Sequence, residues 1–112
     1  MQELLESRDS FDALSSKWKL PILQYLYNRI DETNNFRKIS RGVAGISDKM
    51  LSKELKHLEE NYLISKSEDL RASRRVYHIT EHGTTAIPLI KNLVAWGRTH
   101  RDFAKQMFKD AH

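Results

Sequence analysis

From Ile46 to Ile64 the chain reads ISDKMLSKELKHLEENYLI, and its apolar and charged positions separate by angle. At 100° per residue, Leu51, Leu55 and Leu58 fall within about 60° of one another. Lys49, Lys53 and Lys56, with Ser52 among them in sequence, fall roughly on the opposite side. The pattern predicts a helix from Asp48 to about Asn61. Ser47 suits its N-cap, and Asp48 at the first helical position complements the helix dipole.

The same reading extends in both directions. Ser10 can cap a short first helix over Phe11 to Leu14. Ser15 or Ser16 can cap a second over KWKLPILQYLYN, where Trp18, Ile22, Tyr25 and Leu26 recur at helical spacing. Pro21 is tolerated only near a helix start, which places that start near Lys17. The polar run DETNN, residues 31–35, reads as a loop, and Phe36, Ile39 and Val43 then share one face of a short helix. The segment GVAGI turns the chain toward Ser47.

Beyond the 48–61 helix, Leu63 and Ile64 lead into SKSE, and after DLRASR the segment RVYHI points Tyr77 and Ile79 inward. These make a two-stranded hairpin with a basic loop. Thr80 caps a last helix, in which Pro88 either makes a kink or begins a new segment. Leu89, Leu93, Trp96, His100, Phe103 and Met107 then form an apolar stripe at spacings of 3 or 4 residues.

The resulting fold class is α+β, mostly α: a winged helix-turn-helix with a two-stranded β wing, forming one domain over residues 1–112. Neither an internal repeat nor a linker divides it. In helix-turn-helix proteins the second helix enters the major groove while the first crosses the backbone. The leucines of the 48–61 helix would hold it to the domain. Ser47, Lys49, Ser52, Lys53 and Lys56 would face DNA.

Charge strengthens this reading. The formal net charge is +4, but it is unevenly spread. Residues 1–16 carry Glu3, Glu6, Asp9 and Asp12 against Arg8, a local net of −3. Residues 37–58 carry Arg37, Lys38, Arg41, Lys49, Lys53 and Lys56 against Asp48 and Glu54, a net of +4. Residues 66–75 add Lys66, Arg71, Arg74 and Arg75 against Glu68 and Asp69, a net of +2. A solvated face is the ordinary meaning of a lysine stripe, yet here the excess falls on the elements expected to meet a polyanion. Arg71, Arg74 and Arg75 would meet the backbone or the minor groove from the wing. Arg37, Lys38 and Arg41 would meet phosphates from the helix that crosses the backbone.

Composition is that of a globular domain, 39% hydrophobic and 30% charged. The chain has no cysteine, which excludes disulfides, thiolate nucleophiles, cysteine metal sites and thiol redox sensing and fits a cytoplasmic location. No apolar run approaches the ~20 residues a membrane span needs. The acidic N-terminus lacks the features of a signal peptide. Phosphate-binding glycine loops, nucleophile elbows and paired-carboxylate motifs are missing, so the expectation is a non-enzyme without cofactor. His78 and His82, with only Glu81 nearby, make a poor metal site. Trp18, Tyr25, Tyr27, Trp96 and Phe103 read first as packing residues, and second as the lining of a small-molecule effector pocket. His100 in the apolar stripe reads first as a satisfied or rim residue, and second as a pH switch.

Several stretches together resemble the HxlR-type winged-helix transcriptional regulators of bacteria, which are related to the MarR regulators. They are KWKLPIL at 17–23, NFRKISRGVAGISDKMLSKELKHLEENYLI at 35–64, YHITEHG at 77–83, and AIPLIKNLVAW at 86–96 with Gly97. The combination of K-W-x-x-x-I-L, G-I-S-x-K-M-L and T-E-x-G is specific where each alone is weak. The resemblance implies a homodimeric DNA-binding regulator whose terminal helices make the dimer contact. It puts Lys49, Ser52, Lys53 and Lys56 at the family's DNA-facing positions. It also makes the stripe of Leu89, Leu93, Trp96, His100, Phe103 and Met107 a dimer interface. Two departures stand out. The family's wing usually carries P-x-R-V-E-Y, whereas this chain has ASRRVYHI, with Arg75 and Val76 where Val and Glu are usual. Some members sense electrophiles or oxidants through an N-terminal cysteine, a mechanism closed to this chain.

The expected function is a sequence-specific regulator of transcription, most simply a repressor, binding double-stranded DNA at an inverted repeat as a homodimer. The alternative is a winged helix used for protein–protein or RNA contact, whose lysine face would prefer duplex DNA to no other polyanion.

Overall fold

Leu51 and Leu58 are fully buried and Leu55 nearly so in the computed structural model, which describes residues 1–112. They project from a helix, Asp48–Glu60, whose N-cap is Ser47, with its side chain accepting a hydrogen bond from the Met50 N–H at 3.1 Å. The chain reaches this helix through α1 (Gln2–Leu14), α2 (Lys19–Asn28) and α3 (Phe36–Gly42), so it is α4. After it come β1 (Ile64–Asp69), β2 (Arg74–Ile79), α5 (Glu81–Thr84) and α6 (Ile87–Ala111).

Ile22, Leu23 and Leu26 of α2, Ile39 of α3 and the three leucines of α4 form one core, closed by Leu63, Ile64, Ile79, Ile87 and Ile90. α3 is short because Asn35 caps it, accepting from the Lys38 N–H, and because Gly45, at φ 88°, redirects the chain before Ile46. α3, this turn and α4 are the helix-turn-helix. β1 and β2 pair antiparallel with Ile64 opposite Ile79 and Asp69 opposite Arg74, forming the wing. Thr80 caps α5 by accepting from the Gly83 N–H at 2.8 Å. A Cβ at Gly83 would lie 2.1 Å from the Leu63 carbonyl oxygen, so the glycine of T-E-H-G lets the chain pass close to the backbone just before β1.

Two expectations need correction. The first helix begins at Gln2 rather than at Phe11. Residues 2–14 contain no glycine or proline, Glu3 sits favourably in the first turn, and Ser10 turns its hydroxyl back to the Glu6 carbonyl instead of capping. α2 begins at Lys19 rather than near Lys17, although Ser16 does cap the preceding turn, accepting from the N–H groups of Trp18 and Lys19. Of the two alternatives for Pro88, the structure shows a new segment: Pro88 lies in the first turn of α6, where its missing N–H costs little. Ile79 is buried in the core and Tyr77 packs half-buried against it, as expected, while Val76 is buried as well, on the strand whose free edge is bridged by Asn35 and where the Tyr77 N–H donates to the Asn34 carbonyl.

Candidate nucleic-acid interface

Lys49, Ser52, Lys53 and Lys56 are all exposed on α4, on the side away from the leucines, and its N-cap Ser47 is exposed at the start of the helix. The Ser47 oxygen is occupied by the cap, but its hydroxyl proton is free to donate. Asp48 also lies on this surface, where a bare carboxylate would repel phosphate. Arg37 of α3 pairs with it at 3.0 Å, and the Ser40 hydroxyl donates to its other oxygen at 3.4 Å. Arg37 therefore ties α3 to the start of α4 and neutralises its acid, while most of its N–H donors remain available. Arg41, in the last turn of α3, is exposed.

The wing comes back toward α4. Ser52, Lys56, Glu59 and Glu60 of α4 and Lys66, Arg75 and Tyr77 of the wing line one groove. Lys66 pairs with Glu59 at 3.5 Å, so the groove carries both signs of charge. Arg74 and Arg75 are exposed on β2, and Arg71 stands in the turn, where its N–H donates to the Asp69 side chain at 3.1 Å. Ser73 takes φ 49° in that turn.

The sequence reading passed over one group. Glu54 occupies the middle of the α4 leucine stripe and is 4% exposed. Lys19 of α2 reaches it at 3.0 Å, with both side chains 5% exposed, and the Ser16 hydroxyl donates to the same oxygen at 2.7 Å. The Lys19 ammonium also donates to the Ser15 carbonyl. Burial alone would raise the Glu54 carboxyl. The hydrogen bonds from Ser16 and Lys19 and the charges of Lys19 and Lys53 outweigh it and hold the group below its ordinary value. The available signal was angular: Glu54 lies about 60° from Leu51 on a helical wheel, on the apolar side.

The other candidates disperse. Trp18, Tyr25 and Tyr27 pack half-buried against the core, and the Tyr25 hydroxyl donates to the Lys38 carbonyl, tying α2 to α3. Trp96 and Phe103 stand exposed on α6, remote from that role. The groove between α1 and α6 is lined instead by Ser7, Phe11, Leu14, Ser16, Leu89 and Leu93, among others. His100 stacks on Trp96 with ring centroids 4.9 Å apart, on the open face of α6. His78 faces Ser67 across the hairpin at 3.3 Å, and His82 lies on α5. Leu89, Leu93, Trp96, His100, Phe103 and Met107 are all exposed.

Comparison with known proteins agrees with this architecture. The chain is 33% identical over 85 residues to YdzF of Bacillus subtilis, an uncharacterized HTH-type transcriptional regulator, covering 75% of this chain and 76% of that one. It is 30% identical over 88 residues to the HTH-type transcriptional regulator YodB of the same organism, covering 78% and 76%. The reduced form of YodB superposes with a TM-score of 0.70 at 27% identity, over 81% of this chain and 87% of that one. The redox regulator HypR in its reduced form shares the fold, with a TM-score of 0.76 at 24% identity over 90% and 98% of the two chains. No helix is long and apolar enough to cross a membrane. The HxlR-like helix-turn-helix family model matches residues 13–105, and the chain thus belongs to that family of DNA-binding winged-helix transcriptional regulators, not of enzymes.

Proposed function

We propose that the protein is a homodimeric repressor that binds an inverted-repeat operator through α4 and the wing. The observation that carries this reading is the exposed row of Lys49, Ser52, Lys53 and Lys56 on a helix fixed by its own leucines, with Arg75 across the groove. A helix of this kind reads base edges, and the flanking cations set its register on phosphates. Arg37 and Arg41 from α3, with Arg71 and Arg74 from the wing, extend the basic surface to either side. Occupying a promoter in this way is sufficient for repression.

Area supports the dimer. The single chain exposes 8434 Å², about 2,000 Å² more than a compact monomer of its mass. Its radius of gyration is 16.6 Å, against about 13 Å expected for this length. The surplus lies where α1 and α6 leave the body: α1 has no buried residue, and α6 buries only Ile87 and Ile90. Obligate homodimers bury surfaces of this order. Leu89, Leu93, Trp96, His100, Phe103 and Met107 form the contact in this reading, and the acidic α1 borders Leu89 and Leu93.

HypR is described as a redox regulator, with reduced and oxidized forms. This chain has no cysteine, so any small-molecule effector acts without thiol chemistry. The decisive experiment is selection from a random duplex library at near-physiological salt. Enrichment of an inverted repeat with half-sites about one helical turn, or 34–36 Å, apart is expected. Retention without enrichment would leave a nonspecific basic surface and reject the operator reading. Preference for RNA would establish the alternative instead.

A further inference from the structure

We propose that Ser16, Lys19 and Glu54 form a positioning joint that sets the rotation of α4 about its axis from the α1–α2 junction. This rests on the reading of α4 as the helix that enters DNA. Leu51, Glu54, Leu55 and Leu58 occupy one continuous buried stripe, and the leucines alone would accept small rotations of the helix by sliding. A buried carboxylate is stricter, because turning it away from Lys19 leaves both charges unpaired in the interior. Lys49, Ser52, Lys53 and Lys56 lie roughly 100–160° around the helix from Glu54, so the angle at the joint is the angle presented to the base edges.

The joint is built from the far side as well. Ser16 receives the Trp18 and Lys19 N–H groups while its hydroxyl holds Glu54, and the Ser15 carbonyl receives the Lys19 ammonium. Of the two residues after α1, Ser16 therefore holds the recognition helix directly, through Glu54, and Ser15 holds it through the Lys19 ammonium that pairs with Glu54. The same two residues line the groove against Leu89 and Leu93 of α6. A shift of the terminal helices thus reaches α4 through this strap, with no change in the basic residues themselves.

The test compares affinity for the selected inverted repeat with affinity for a scrambled duplex of equal composition, below each variant's Tm. Three variants are used: Glu54→Gln, Ser16→Ala, and the double replacement Lys19→Met with Glu54→Leu, which fills the same space without charge. Glu54→Gln is expected to reduce discrimination by about tenfold, within the range of one mismatched base pair. Its affinity for the scrambled duplex should stay within about twofold and its salt slope unchanged, since no phosphate contact is lost. Ser16→Ala should show a smaller loss of the same kind. The apolar pair should keep its thermal stability yet lose discrimination. Wild-type discrimination in the apolar pair and Glu54→Gln would overturn the proposal, as would an equal loss on both duplexes that follows Tm. If the wild-type chain itself does not discriminate, the operator reading fails first, and the joint has nothing to position.

Discussion

α4 and α6 are both amphipathic, and they end in opposite circumstances. The stripe of α4 is closed inside its own chain, with Leu51, Leu55 and Leu58 at most 2% exposed. The stripe of α6 stays open along most of a helix of 25 residues, with Trp96 at 63% and Phe103 at 64%. The difference lies in what each helix faces. α4 packs across α2 and the wing, whereas α6 runs about 37 Å and leaves the body after its first turn. An apolar stripe specifies burial, and only the rest of the chain decides whether the covering surface is its own.

The comparison breaks most sharply at the closed stripe. Leu58→Ala should destabilise the chain by about 2–5 kcal/mol, because the fully packed site collapses poorly around the void. Denaturant titration at fixed protomer concentration measures this. A loss below 1 kcal/mol would mean that α4 is not held as described. At the open stripe, Trp96→Ala with Phe103→Ala should weaken self-association by about 2 kcal/mol or more, as buried aromatic anchors do. Sedimentation should then show monomer with an unchanged circular dichroism spectrum. A dimer of undiminished affinity would place the contact elsewhere.

Much of this was legible beforehand, for identifiable reasons. The α4 bounds followed from Ser47, Asp48 and the leucine period, since cap and stripe agree. Asn35 and Val76 were less visible, because their pairing joins a loop to a strand that is distant in sequence. α1 escaped notice beyond its last turn because only Ala13 and Leu14, in that turn, pack against the core, and burial is what periodicity reports. Glu54 counts in the sequence only as an acid within a basic segment. Its partner Lys19 lies 35 positions away, and no local pattern announces such a pair.

A smaller effect separates the two faces of α4 from each other. Lys49→Ala should leave stability unchanged, since the side chain is exposed and unpaired, while weakening specific DNA binding by about 1–3 kcal/mol if it reads a base. A phosphate contact would instead weaken all duplexes alike and reduce the salt slope by about one. Fluorescence anisotropy on the selected and scrambled duplexes at several salt concentrations tells these apart. Unchanged binding to both would remove Lys49 from the interface.

The smallest effect concerns acid. The Glu54 carboxyl is held below its ordinary value of 4.5 by Ser16, Lys19 and Lys53 despite its burial. A depressed folded value means that the unfolded chain binds the proton more readily. Its contribution to stability is therefore present above about 4.5 and lost as pH falls through the lower folded value. Glu54→Gln has no such proton to take up. Its stability should be lower than wild type near neutrality and should fall less steeply on acidification, so the two curves converge at low pH. Parallel curves would show that the carboxylate gains nothing from Lys19, and that the α4 stripe is held by its leucines alone. Convergence would mean that the closed stripe contains one charged position whose partner, like the covering of α6, comes from outside its own helix.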